Sequence, residues 1–111
     1  MSGSVLVVVE HDRGTLAPAT LEALTAARPL GVVDALTIGE AADALATELA
    51  DFGVARVHRA HDPLLDDYGP EAWGEVVAQA VRALGPEIVL ATGTDRGNEV
   101  IAQAAARLDL P

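Results

Sequence analysis

The sequence predicts an α/β domain of three layers, with helices on both faces of a parallel sheet whose strands lie in the spatial order 3-2-1-4. Three observations lead there. The run Val5-Leu6-Val7-Val8-Val9 is apolar and mostly β-branched without a polar break, the pattern of a strand covered on both faces. Such runs alternate with segments of helical periodicity, and a strand–helix–strand unit returns its second strand parallel to the first through a right-handed crossover. Half of the 111 residues are apolar, yet Phe52, Tyr68 and Trp73 are the only aromatics. The core must then be Val, Leu, Ile and Ala, which suits close-packed helix-on-sheet layers better than a wide barrel.

The elements follow in order. Val5 to Val9 is the first strand, and the polar stretch Glu10-His11-Asp12-Arg13-Gly14 reads as a turn. Pro18 fits the first position of a helix with Leu21, Leu24 and Arg28 at helical spacing, which ends by Pro29, with Gly31 turning the chain. Val32 to Ile38 is the second strand. Gly39 separates it from a helix that carries Ala41, Ala42, Leu45, Ala46 and Leu49 on one face and stops near Gly53.

In Val54 to Ala60 the apolar residues thin out and Arg56, His58 and Arg59 appear, as at a partly exposed sheet edge. After a polar connection from His61 to Gly69, with turn chemistry in Asp62-Pro63, Asp66-Asp67 and Gly69-Pro70, comes the strongest helical pattern. There Trp73, Val76, Val77, Ala80, Val81 and Leu84 form a stripe, with Glu71, Glu75, Gln79 and Arg82 off it. Leu84-Gly85-Pro86 stops that helix. Ile88 to Ala91 is a fully apolar fourth strand, and the last helix carries Val100, Ile101, Ala104, Ala105 and Leu108 inward. With the first and fourth strands expected to be the most buried, the spatial order is 3-2-1-4 and the chain reverses direction between them. Open sheets bind ligands at the carboxyl ends of the strands beside such a reversal.

The loops meeting there are Glu10 to Gly14 and Thr92-Gly93-Thr94-Asp95-Arg96-Gly97-Asn98. The second has the chemistry of an anion cradle: the Thr92 and Thr94 hydroxyls, the Gly93 and Gly97 amides, the Arg96 guanidinium, and Asn98 at the start of a helix. It is neither a Walker loop, lacking Gly-Lys-Ser/Thr, nor a G-x-G-x-x-G turn. The preferred reading is an ordinary strand-to-helix turn capped by Asp95 or Asn98, a role that can coexist with binding. His58, His61 and Asp62 have ligand side chains, but their spacing on a strand end does not make them converge on a metal. His11-Asp12 is a nominal acid–base pair whose adjacent members do not face each other, with no nucleophile placed beside it. No catalytic constellation emerges.

Composition excludes further classes. Seventeen acidic against seven basic residues, all of them Arg, give a formal charge of −10, which repels nucleic acid and anionic lipid. There is no cysteine, hence no disulfide or thiolate site. The opening Met1-Ser2-Gly3 and the short run after it match neither a signal peptide nor a membrane span, so a cytoplasmic protein without membrane insertion is expected.

Val5 to Gly14, followed by Leu16 to Arg28, closely resembles the opening of the electron transfer flavoprotein alpha subunit. Thr94-Asp95-Arg96-Gly97-Asn98-Glu99, with Ala104, Ala105, Arg107 and Leu108, is similar to the turn and helix after that family's fourth strand. The resemblance implies a Rossmann-like, adenine nucleotide α-hydrolase-like domain. It also implies a non-catalytic part in electron transfer: the heterodimer of alpha and beta subunits carries electrons on FAD from flavin dehydrogenases, such as those acting on acyl-CoA, to a quinone reductase. An alpha subunit continues into a second domain with most of the FAD contacts, so residues 1–111 correspond to the amino-terminal domain alone and are not expected to bind FAD themselves. The family's beta subunit holds AMP in the corresponding pocket, and the alpha pocket is regarded as empty. The rival expectation is a free-standing adenine-nucleotide-binding domain of the universal-stress type, using the loops after the first and fourth strands.

Overall fold

The computed structural model describes residues 4–65 and 68–109. Met1-Ser2-Gly3, the Asp66-Asp67 part of the turn before the third helix, and the chain end at Pro111 lie outside the described residues. In chain order the elements are β1 (Ser4–Val8), β2 (His11–Asp12), β3 (Thr15–Leu16), α1 (Pro18–Ala27), β4 (Val32–Ile38), α2 (Ala46–Asp51), β5 (Arg56–Ala60), α3 (Pro70–Leu84), β6 (Ile88–Leu90) and α4 (Asp95–Arg107).

Four strands form one parallel sheet of order β5-β4-β1-β6, which is third, second, first and fourth among the long strands. The alternation of side chains along β1 builds two cores. Val5, Val7 and Val9 point to the face covered by α1 and α2, where they pack with Leu24, Ala27 and Leu49. Leu6 and Val8 point to the other, where Trp73 and Val77 of α3 and Val100 and Ala104 of α4 meet them. The three-layer α/β class follows from this: a strand buried on both faces needs helices on both.

The details depart from the sequence pattern at four places. The polar stretch after β1 is an antiparallel hairpin, β2-β3, whose two-residue connection Arg13-Gly14 has φ of 49° and 89°, the double positive φ of a type I′ turn. The helix expected after Gly39 begins as a 3-10 helix over Glu40–Leu45, and the α-helix starts only at Ala46. There Ala42 and Leu45 are buried while Ala41 is exposed, so the inward face repeats every three residues, the period of the tighter helix. Leu84, the last residue of α3, lies on the outside, 43% exposed. β6 is half-buried rather than enclosed, since only β1 pairs with it. Edge position, not composition, sets its burial.

Leu24 is fully buried against β1, whereas Leu30 is 46% exposed just beyond α1. Leu24→Ala should therefore lower unfolding free energy by about 2–5 kcal/mol in urea denaturation. Leu30→Ala should change it by less than about 0.5 kcal/mol.

Candidate functional site at the strand reversal

β1 and β4 run side by side, and so do β1 and β6, so the chain leaves β1 towards one side and enters β6 on the other. The gap between the tips of β1 and β6 is the switch-point cleft. Glu10, two residues past β1, reaches across it. Its Oε1 accepts a hydrogen bond from Thr92 Oγ1 at 2.7 Å and another from Thr94 Oγ1. The two hydroxyls themselves lie 2.9 Å apart. A carboxylate thus rests at the amino end of α4, where hydroxyl donors and the helix dipole both favour negative charge.

The backbone of Glu10 is pinned from the other side. Its N–H donates to Thr20 Oγ1 at 3.0 Å, and the same hydroxyl donates to the Glu10 carbonyl at 2.9 Å. Thr20 is fully buried on α1, so the reciprocal pair ties the end of β1 to the helix beneath it.

Thr94 is the N-cap of α4: its hydroxyl accepts from the Gly97 N–H at 3.1 Å. The cap is therefore neither Asp95 nor Asn98. Asp95 is the first residue of the helix, and Asn98 lies in its first turn, exposed, its N–H donating to the Thr94 carbonyl at 2.9 Å. Gly97 has no room for a side chain: a Cβ there would stand 2.0 Å from the Thr92 carbonyl oxygen. That close approach lets Thr92, Thr94 and the helix start crowd around one carboxylate. Gly93 is exposed and open, and neither it nor Asn98 lines the cavity at the cleft.

Arg96 is turned to another task. Its guanidinium carbon lies 4.6 Å over the Tyr68 ring, a cation–π contact, while the Tyr68 hydroxyl donates to Glu99 Oε1 at 3.1 Å and approaches the Arg96 carbonyl at 3.3 Å. Tyr68 meets Trp73 edge-on at 5.3 Å, and Trp73 stacks on His11 at 5.7 Å. Burial first, and then the Glu99 carboxylate, push the Tyr68 phenol up to about 12.

His11 is buried and serves the hairpin. Its Nε2 donates to the Ile38 carbonyl at 2.7 Å, and its Nδ1 accepts from the Gly14 N–H at 3.1 Å, so both ring nitrogens are committed to backbone. The other histidines are held apart by separate carboxylates: His58 by Asp34 at 2.8 Å across β4 and β5, and His61 by Asp43 at 2.7 Å. Among the described residues no three potential ligands gather for a metal.

Of the residues read as a cradle, the structure thus brings Thr92, Thr94, Arg96 and Gly97 to the cleft and leaves Gly93 and Asn98 at its rim. It adds Thr20 and Tyr68, which the sequence did not place there, and makes Glu10, whose loop the sequence did bring to the cleft, the acceptor of both hydroxyls. The signal for Glu10 was present as a carboxylate at the tip of a fully buried strand, a position that demands donors.

A twisted parallel sheet with a switch-point cleft, layered by helices, defines a Rossmann-like α/β domain. The family model for the electron transfer flavoprotein domain matches residues 5–111. The chain belongs to that family. It is 38% identical over 109 residues to the probable mitochondrial electron transfer flavoprotein subunit alpha of Caenorhabditis elegans, covering 96% of this chain and 33% of that protein. It is 35% identical over 106 residues to the subunit alpha of Mycobacterium tuberculosis, covering 94% and 33%. It is 32% identical over 111 residues to that of Bacillus subtilis, covering 97% and 34%. The chain spans about a third of the length of the curated relatives it matches.

Two outcomes test this geometry. Thr94→Ala removes the cap and one arm of the Glu10 bridge, with an expected loss of about 1–2 kcal/mol. Combined with Glu10→Ala it should cost less than the sum of the two single changes, since both break one contact. In an alkaline absorbance titration the sole tyrosine should ionise near 12, above the ordinary 10.0. The folded state favours the neutral phenol, so this contribution to stability is complete below pH 10 and fades as pH rises through about 12. Glu99→Gln should lower the midpoint part of the way, because burial remains.

Proposed function

We propose that this chain is the amino-terminal scaffold and docking domain of an electron transfer flavoprotein alpha subunit, a non-catalytic part of a cytoplasmic carrier. In this reading the alpha–beta heterodimer takes electrons from flavin dehydrogenases, such as those acting on acyl-CoA, and passes them to a quinone reductase. FAD is held by further alpha-subunit polypeptide, and AMP by the beta subunit.

The observation that carries the reading is the Glu10 carboxylate seated on Thr92 and Thr94, where a nucleotide phosphate would otherwise lie. The cavity left beneath it measures about 10 Å³, the space of a single water. Neither an isoalloxazine nor an adenine enters that cavity, and the carboxylate repels a pyrophosphate, which supports the reading that FAD is held elsewhere. What this chain offers the carrier is a rigid α/β body. Among the described residues no helix is long and apolar enough to cross a membrane.

One observation favours the rival reading, a free-standing adenine-nucleotide binder of the universal-stress type. A more open depression of about 320 Å³ lies between the hairpin and Arg96. Its floor carries Glu10 and Asp12 opposite a single guanidinium, a balance better suited to a cation than to a polyphosphate.

Mixing the chain with the beta subunit of the same organism and following sedimentation should give a stoichiometric complex. Calorimetry of the chain alone with FAD, AMP and ATP should be flat. Failure to form the complex would remove the docking role, and micromolar adenine-nucleotide binding would favour the rival reading.

A further inference from the structure

Resting on the docking role given above, we propose that the amino end of the sheet, opposite the strand-reversal cleft, is the face this chain presents, and that its occupant is a beta-subunit surface with an apolar centre and carboxylates around it. The exposed apolar surface lies there. Among the described residues the exposed large hydrophobics are Leu30, Val32 and Leu84, at 46%, 52% and 43%, and all three fall at this one end. Val32 opens β4 and pairs with Ser4 at the start of β1, and Leu30 stands two residues before it. Leu84 ends α3, which runs back to the same end before β6, and lines a hollow of about 150 Å³ with Ser4, Asp34, Arg56 and Pro86. Apolar side chains gathered into a patch, rather than scattered singly, mark an interaction surface.

The charge around the patch is a second, independent observation. Arg28 follows α1, Arg56 opens β5 and Arg82 lies in the last turn of α3, so three exposed guanidiniums are carried at this end. Among the described residues none of the three has a carboxylate partner. Arg28 reaches the Thr25 hydroxyl at 3.3 Å and Arg82 the Arg107 carbonyl at 2.9 Å, while Asp34, opposite Arg56 in the ladder, is held by His58 at 2.8 Å. Against these arginines stand Asp34, Asp51, Glu87 and Asp109, and beside them Arg107 pairs with Glu75 at 3.2 Å. This end is therefore close to neutral, and nearly all of the formal charge of −10 lies on the rest of the molecule.

Together the two observations define what fits. An approaching body meets the least long-range repulsion at the end where negative charge is thinnest. Covering guanidiniums without partners is costly, so the incoming surface supplies carboxylates at the rim and apolar side chains at the centre. A second copy fits less well, because it adds another body of charge −10 whose own patch presents the same arginines.

The test titrates the beta subunit of the same organism into wild type, Leu84→Glu, Arg56→Glu and, from the exposed side of α2, Glu48→Gln, by calorimetry, with circular dichroism to check folding. Leu84→Glu and Arg56→Glu should each weaken the complex at least about tenfold, and the loss in Arg56→Glu should grow at low salt. Glu48→Gln should change it by less than about twofold. In the wild-type complex the amide resonances of Leu30 to Val33, Gly85 and Glu87 should shift, a readout that needs no variant to fold. Unchanged affinity in Leu84→Glu or Arg56→Glu, or resonance shifts confined to the hairpin and Thr92 to Asn98, would overturn this face and leave the docking role standing. The absence of any complex with wild type would remove both. Sedimentation of the chain alone that shows self-association, lost in Leu84→Glu, would make a second copy the occupant and overturn the assignment to the beta subunit.

Discussion

One carboxylate organises the end of the sheet where β1 and β6 give way to their connections. β1 and β6 pair in parallel as far as Val7 and Leu90, and beyond that register the sheet ladder between them ends. Glu10 closes the gap by linking the end of β1 to Thr92 and Thr94 at the entry to α4. A half-buried carboxylate needs donors to offset its lost hydration, and it finds them in two hydroxyls and the positive end of a helix. The neighbouring features maintain that arrangement. Thr20 fixes the Glu10 backbone, Gly97 lets the helix start press against Thr92, and the hairpin anchored by His11 lies alongside.

The layers were legible because they depend on periodicity, which a single sequence carries in full; the strand order came out as expected although the fourth strand, at an edge, is half-buried rather than the most buried. Val32 to Ile38 is a strand within those bounds, and Pro18 opens α1, since a β-branched run and a proline at a helix start act locally. Less was legible where a distant partner decides. The hairpin after β1 depends on a positive φ at Arg13, which side-chain type alone would not assign, and on a ring at His11 held by Ile38 from another strand. The cradle residues were recognisable as a set, but not what they touch. Thr94 and Glu10 are 84 positions apart, and only the crossover topology places them together. Arg96 looked like a phosphate ligand from its loop, yet its partner is an aromatic ring on the connection before α3.

The two edges of the sheet differ in a way that bears on how such a domain is used. β5 exposes Arg56 and Arg59, charges that discourage pairing with another strand. β6 carries only Ile88, Val89 and Leu90 and pairs on one side with β1. Beside it an apolar groove of about 280 Å³ runs between α3 and α4, lined by Val81, Val89, Ile101 and Leu108 among others. One edge is therefore guarded by charge and the other is not. With a formal charge of −10, self-association of the unguarded edge is opposed at long range and is strongest at high salt, where the repulsion is screened.

The same physics lets a Rossmann-like cleft keep its shape with an acceptor taken from its own chain. A switch-point cleft collects unsatisfied donors because strand ends and a helix start converge there, and some acceptor has to fill it. A bound phosphate supplies the acceptor at the expense of making the fold depend on ligand concentration. A tethered carboxylate supplies it from within the chain, at an effective concentration set by a two-residue reach from β1, so that the acceptor does not depend on a free ligand. Under the docking role proposed above, that independence is the useful property. It requires only that the acceptor come from the chain, which Glu10 does.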